Sequence, residues 1–270
     1  MSPDLLFILS LALKMAITAA FVVAASFIAE RSGPLIGAMV ATLPIAAGPS
    51  YVFLALDHDA QFIAESTITS LASHAATGLF GITYVLLAQR HSVVVSLGGA
   101  LAAWTASAVA IRSLPWTLTG ALAINVVTYA FCVTVAEHYL HVKMPLITRR
   151  WFDVPLRATL VACLVGTVVT LGINVGPKIT GIFAVFPVVM MSLMLIMHPR
   201  IGGPANAALL ANTMWGLVGF GLAVLALHLT VVPLGAPLAL CAALAVSILA
   251  NITIWLIRRR GHARKMAALE

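Results

Sequence analysis

The chain has 270 residues, of which 62% are apolar and 9% charged, with a net charge of +7 and a mean hydropathy of +1.09. A soluble domain carries roughly 25% charged residues, so the composition excludes a soluble globular protein. Strands of membrane β-barrels alternate apolar and polar residues over about 10 positions. Stretches 21–27 and 183–197 are instead apolar on every face, which excludes a barrel.

Turn signals between the apolar runs predict about nine transmembrane helices, since a helix needs roughly 20 residues to cross the hydrocarbon core. The predicted fold class is therefore an all-α polytopic membrane protein. Pro233 and Pro237 lie close to the start of the last span, which leaves open whether it is one helix or two. The predicted spans lie near 5–28, 34–56, 62–88, 93–112, 116–139, 152–174, 178–197, 205–229 and 234–257.

The distribution of basic residues predicts the orientation, because Lys and Arg collect on the cytoplasmic side of a bilayer. With the N-terminus outside, only Arg112 and Lys178 fall on the outer side. We therefore assign the positive charge to membrane topology rather than to nucleic-acid binding. The predicted location is a bacterial inner membrane, with the C-terminus in the cytoplasm. The cytoplasmic side receives Arg31, Arg90, Lys143, Arg149, Arg150, Arg200, Arg258, Arg259, Arg260, Arg264 and Lys265.

An internal duplication is visible in the sequence. Residues 33–44 match residues 176–187 at an offset of 143, with Gly, Pro, Ile, Ala and Pro at the same places. Further on, 78–88 match 216–226 at an offset of 138, carried by a Gly-Leu-x-Gly motif and a Leu-Ala pair. Paired glycines and prolines in the same order indicate two copies of one unit.

The duplication and the predicted spans together yield an architecture. Four helices form each copy, and an odd linker helix makes the second copy enter from the opposite face, as in the inverted repeats of secondary transporters. The predicted organisation is a first four-helix repeat over 1–114, a linker helix and loop over 115–142, a second inverted repeat over 143–260, and a basic cytoplasmic tail over 261–270.

Two basic residues lie inside apolar runs at equivalent positions. The offset of 143 carries Lys14 onto Arg157, and an intramembrane charge costs about 2.5–3.5 kcal/mol on insertion scales. We predict that both help to bind an anionic solute. The alternative is that each side chain extends to the lipid headgroups, or that Arg157 pairs with Asp153 one turn before it. Glu65, Glu137 and Asp153 are the carboxylates expected near the spans.

Pro44 and Pro187 interrupt spans two and seven at equivalent positions, and Gly48-Pro49 predicts a further break in the first copy. Proline removes a backbone donor and frees the carbonyl a turn earlier. Broken helices that face each other between two repeats are typical of a transporter substrate site. A packing kink is the alternative interpretation.

Spans three and five carry the remaining candidate residues. His74 aligns with Asn212 in the second copy, and Asn125 and Tyr129 share one face of the linker helix. We predict that these four side chains line a solute pathway, in which His74 could take a proton near physiological pH. The alternative is that they only hold the helices together.

These features predict a secondary transporter that binds a small, anionic solute between the repeats near the bilayer midplane. The expected partners are the lipid bilayer, the solute and a coupling ion or proton; nucleic acid, cofactor and metal are not expected, and a homo-oligomer is left open. The alternatives are a channel, a membrane subunit of a larger complex and, last, an intramembrane enzyme. Enzyme motifs such as H-E-x-x-H and G-x-S-x-G are missing from the sequence, so catalysis is not predicted.

Overall fold

The computed structural model describes residues 3–31, 47–140, 142 and 150–267, with the side chains of 5–27, 47–140, 142 and 150–259. These residues are almost entirely helical, and no strand occurs among them. The helices are α1 (Pro3–Arg31), α2 (Ala47–Asp57), α3 (Ala60–Leu87), α4 (Val93–Arg112), α5 (Leu118–Ala136), a 3-10 turn (Glu137–Tyr139), α6 (Asp153–Asn174), α7 (Pro177–Ala184), α8 (Val188–Ile201), α9 (Gly203–Leu234) and α10 (Ala236–Ala267).

Eight segments among the described residues are long and apolar enough to cross a membrane. This confirms the predicted class, an all-helical polytopic membrane protein. Only α2 belongs to the described part of the second predicted span. Residues 32–46, which include Pro44, lie outside the described residues. The eight segments are Leu5–Phe27, Ala60–Leu87, Val93–Arg112, Leu118–Tyr139, Asp153–Asn174, Pro177–Ile201, Gly203–Leu234 and Ala236–Arg259.

One helix boundary at a proline differs from the sequence prediction. The eighth span does not end near 229, since α9 continues through Pro233 to Leu234 and stops at Gly235, whose positive φ of 76° suits a helix C-terminus. The last span is then one continuous helix, α10. Pro49 lies in the first turn of α2, where a backbone N–H needs no intrahelical acceptor. The residues before Ala47, on which the break predicted at Gly48-Pro49 depends, lie outside the described residues.

Helix α3 lies at the centre of the bundle, in contact with α2, α4, α5, α7 and α9. Its side chains Phe80 and Tyr84 are fully buried, and so is the polar side chain of His74. A membrane helix that is buried on nearly all sides contacts protein rather than lipid. For this reason α3 can carry serines, threonines and a histidine that would be costly in hydrocarbon.

The helix contacts follow the order of the predicted duplication. Helix α1 packs along α6, and α3 packs along α9. These are the helices that occupy equivalent places in the two predicted copies. Helix α4 contacts α8, and its counterpart α10 contacts α2.

Glycines permit two of the closest helix contacts. A Cβ at Gly181 of α7 would collide with the carbonyl group of Ser66 on α3, with the Ser66 carbonyl carbon only 3.0 Å away. A Cβ at Gly219 of α9 would lie 2.6–3.0 Å from the side chain of Asn251 on α10. Glycine at these positions lets α3 approach α7 closely and lets α10 approach α9 closely.

Candidate functional site

A helix break lies inside the seventh predicted span. Helix α7 ends at Ala184 and α8 begins at Val188, with Pro187 between them at φ −78° and ψ 46°. The ring of Pro187 removes one backbone donor and cannot continue the helix of α7. The break that the sequence predicts at Pro187 is therefore present.

Helix α3 supplies hydrogen bonds to the backbone of the broken span. Ser70 Oγ donates to the carbonyl oxygen of Gly181 at 2.6 Å, and Thr77 Oγ1 donates to that of Val185 at 3.0 Å. Because the one hydroxyl proton of Ser70 is used in this way, the hydroxyl of Tyr51 donates to Ser70 Oγ, also at 2.6 Å. Unpaired backbone carbonyls are costly at membrane depth, so the polar face of α3 stabilises the break.

A cavity of about 790 Å³ opens beside this break. Its walls come from the break itself and from α3, α6, α8, α9 and α10. Pro187 lies at the cavity wall, together with the first residues of α8, whose N-terminal end carries backbone N–H groups without an intrahelical acceptor. The N-terminal end of a helix favours negative charge.

Three arginines line the cavity: Arg157 of α6, and Arg258 and Arg259 of α10. Arg258 donates to Asn212 Oδ1 at 3.3 Å, which connects the end of α10 to α9. No carboxylate occurs among the described residues that line the cavity. Its electrostatic character is thus basic.

Aromatic side chains form another part of the wall. Arg258 lies over the ring of Trp215, with 5.9 Å between its guanidinium carbon and the ring centroid, and Arg259 lies over Trp255 at 5.4 Å. Both distances allow cation–π attraction. Tryptophan and arginine together are typical of a membrane–water interface, so we expect this part of the cavity wall to lie near one.

Three of the predicted site residues meet in this cavity: Arg157, Pro187 and Asn212. Pro44, the predicted equivalent of Pro187, lies outside the described residues. Arg258 and Arg259 were not predicted as site residues, because the sequence indicates only that they lie on the cytoplasmic side. Their helical spacing is the signal that could have identified them, since Arg258 follows Asn251 by seven residues and Arg259 follows Trp255 by four.

The other predicted residues of spans three and five lie at helix contacts. His74 Nε2 is 2.8 Å from the carbonyl oxygen of Leu217, so Nε2 carries a proton, and the His74 ring stacks on Tyr129 with centroids 4.8 Å apart. The hydroxyl of Tyr129 donates to the His74 carbonyl oxygen at 2.9 Å. Asn125 donates from Nδ2 to the carbonyl oxygens of Leu71 and Ala121. These contacts join α3 to α5 and α9.

Lys14 does not line the cavity. Its ammonium binds the carboxylate of Asp57 at the end of α2, with Nζ 2.7 Å from Oδ1. Asp57 was not among the carboxylates predicted near the spans, and the structure corrects this prediction. Asp153, expected as a neighbour of Arg157, accepts hydrogen bonds from both terminal nitrogens of Arg200 on α8.

A second buried polar cluster joins α3, α8 and α9. Asn206 Nδ2 donates to the hydroxyl of Tyr84 at 2.7 Å, and that hydroxyl donates to His198 Nδ1 at 2.6 Å. His198 is two residues from Arg200, so the cluster lies at the same end of α8 as the pair with Asp153. These hydrogen bonds hold the C-terminal end of α8 in place.

A separate cavity of about 460 Å³ lies between α1, α2, α9 and α10. Its wall is almost wholly apolar, with residues such as Phe21, Leu227 and Leu244. It offers little to a charged ligand, in contrast to the basic cavity beside Pro187.

The fold and the site together define a polytopic membrane protein with a broken helix beside a basic, partly aromatic cavity. Comparison with known proteins adds no relative: no family model, no curated protein and no solved structure matches this chain.

Proposed function

We propose that this protein is a secondary transporter for an anionic solute, which it binds in the cavity beside Pro187. The chain would consist of two inverted four-helix repeats joined by α5, with nine spans in all. It would lie in a bacterial inner membrane with its N-terminus outside. Transport would follow alternating access, in which the two repeats move against each other around the solute.

The cavity is the observation that carries this proposal. A break at membrane depth is tolerated where it is buried in protein or lines a water-filled space, and the break at Pro187 adjoins a cavity with three arginines. Arginine is costly in hydrocarbon, so a basic wall at this place favours a binding role for anions. The guanidinium of Arg157 and the N-terminal end of α8 would both contact the solute.

The contacts between helices support the inverted repeats. In such an arrangement equivalent helices meet at the pseudo-two-fold axis, and α1 with α6 and α3 with α9 are pairs of this kind. The same pseudo-two-fold rotation would convert the contact of α4 with α8 into the contact of α10 with α2. A transporter whose halves exchange roles would have this pattern of contacts.

Transport by the purified protein in phosphatidylcholine vesicles tests the proposal. Chloride, sulfate, phosphate, succinate and 1-naphthoate would each be added, and their uptake measured against empty vesicles. We expect saturable uptake of at least one of these anions. Arg157→Gln should lower its rate at least tenfold, whereas Lys178→Gln, at an exposed position of α7, should leave it unchanged.

Two results would contradict the proposal. The first is uptake of none of the five anions above the empty-vesicle background, with protein that is folded by its elution in size-exclusion chromatography. The second is an anion flux that does not saturate and gives unitary current steps in planar bilayers, which would identify a channel.

A further inference from the structure

We propose that the solute is an amphipathic organic anion, in which one carboxylate or sulfonate is attached to an apolar, aromatic body. This inference rests on the proposed function and names the substrate class of the same cavity. Its basis is the size of the cavity, the chemistry of its wall and the position of its charges.

The size of the cavity fits an organic molecule. Pockets for small organic ligands usually enclose about 300–1,000 Å³ and are mostly apolar, with a few polar groups that fix orientation. The cavity beside Pro187 has about 790 Å³. A bare inorganic anion would fill only a small part of it.

The wall is divided between an apolar part and a basic part. Seven aliphatic or thioether side chains larger than alanine and four aromatic ones line the cavity beside the arginines. The apolar part of the wall offers sulfate or phosphate no donors in place of the hydration shell that either ion would lose there, which is unfavourable. Apolar surface on a ligand would instead gain about 25 cal/mol per Å² buried. The wall thus favours a ligand with an apolar body.

The charges determine the sign and the position of the ligand's polar group. Arg157, Arg258 and Arg259 line the cavity without a carboxylate among its described lining residues, so a cation would be repelled. Guanidinium groups bind carboxylates through two parallel hydrogen bonds. Trp215 and Trp255 stack against two of these arginines and offer flat apolar surfaces next to the charge. A planar aromatic acid matches both features at once.

A set of probes with one body and different charges tests this inference. 1-Naphthoate, 1-naphthalenemethanol and 1-naphthylmethylamine would be titrated into the protein in phosphatidylcholine nanodiscs, with empty nanodiscs subtracted. The readout is the fluorescence of the native tryptophans. We expect 1-naphthoate to bind at least tenfold more tightly than the alcohol and the amine. We also expect sulfate at tenfold excess not to compete.

Matched variants locate the binding site. Arg157→Gln and, separately, Arg259→Gln should reduce the preference for 1-naphthoate over the alcohol to less than threefold. Lys178→Gln should keep it. If one arginine variant fails to fold, the other still reports on the same cavity. Equal affinities of the acid and the alcohol, or a preference that survives both arginine variants, would overturn the inference.

Two further arms distinguish a lipid anion from a dissolved one, and the ligand class from the proposed function. Competition by phosphatidylglycerol in the nanodiscs would show that the cavity takes an aliphatic phosphodiester of the bilayer, which contradicts the aromatic carboxylate or sulfonate class. Binding of 1-naphthoate without such competition supports that class. If vesicles take up sulfate or succinate and 1-naphthoate does not bind, the class is wrong while the transporter proposal stands. If no anion is bound or taken up, both fail.

Discussion

Lys14 and Asp57 form an ion pair between the first helix and the end of the second, with Nζ 2.5 Å from Oδ2. Arg200 and Asp153 form a second pair, between the end of α8 and the start of α6, also at 2.5 Å. Asp57 and Arg200 stand 143 residues apart, which is the offset of the duplication. Each predicted copy thus has an ion pair between its first and second spans. The acidic partner lies on the second span in the first copy and on the first span in the second copy.

The first prediction concerns the contribution of the ion pair between Lys14 and Asp57 to the free energy of unfolding. The side chains of Lys14 and Asp57 are 13% and 24% exposed, so water screens their attraction only in part. We expect Lys14→Met and Asp57→Asn each to lower the free energy of unfolding by about 2 kcal/mol, the usual contribution of a charged hydrogen bond. Exchange of the two residues, Lys14→Asp with Asp57→Lys, should restore most of the loss.

Thermal unfolding in detergent, followed by tryptophan fluorescence, measures these effects, and Lys14→Asp and Asp57→Lys serve as the single variants of a double-mutant cycle with the exchanged protein. Lys178→Met serves as the exposed control. If the losses of the two single variants simply add in the exchanged protein, the pair has no role in stability. Transport that disappears in Lys14→Met at unchanged stability would return Lys14 to the solute-binding role that the sequence predicts.

The second prediction concerns the hydroxyl groups that stabilise the helix break. Ser70 and Thr77 each donate to a backbone carbonyl of the broken span. We expect Ser70→Ala and Thr77→Val each to cost about 1–3 kcal/mol, because a buried carbonyl then lacks its donor. Chemical unfolding with increasing denaturant measures the difference.

Ser73 offers a matched control on the same helix. Its hydroxyl is fully buried and has no hydrogen-bond partner among the described residues. Ser73→Ala should therefore leave the free energy of unfolding unchanged or raise it slightly. Equal losses for Ser73→Ala and Ser70→Ala would mean that these hydroxyl groups act by packing alone.

The third prediction concerns the orientation in the membrane. Eleven basic residues fall on one side of the predicted topology and two on the other, so we expect the end of α10 to lie in the cytoplasm. A green fluorescent protein fused after residue 265 should fluoresce, while alkaline phosphatase at the same place should be inactive. The reverse pattern would invert the topology and would place Arg258 and Arg259 of the basic cavity on the outer side of the membrane.

The sequence alone predicts the helical class well, because runs of apolar residues are long and proline and glycine separate them clearly. It also predicts the break at Pro187, since a proline ring removes a backbone donor and crowds the preceding turn. The same signal does not end α9, which continues through Pro233. The pair of Lys14 with Asp57 could not be predicted. These residues lie 43 positions apart, and Asp57 begins a polar turn that reads as a surface loop. Pairs across helices depend on packing that sequence periodicity does not specify.

The candidate site was predicted in part for a similar reason. Arg157 and Asn212 could be predicted because the duplication aligns them with Lys14 and His74, which are also polar residues inside apolar spans. Both line the cavity. His74 was predicted on the same grounds, yet its Nε2 donates to the carbonyl oxygen of Leu217 and its ring stacks on Tyr129. A polar residue in a membrane helix can serve a pathway or a helix contact, and only the neighbouring helices decide between them.

Alternating access around the basic cavity is tested most directly by the accessibility of two equivalent positions. Thr213 lines the cavity, and Ala75, its counterpart at the offset of 138, is only 1% exposed. Each would be changed to cysteine after replacement of Cys132, Cys163 and Cys241, and treated with a membrane-impermeant maleimide from either side. We predict that Thr213→Cys reacts from the side of Arg258, and that Ala75→Cys reacts from the opposite side as the repeats exchange roles. If Thr213→Cys reacts while Ala75→Cys reacts only after denaturation, the cavity is open to one side permanently and the protein does not transport by alternating access.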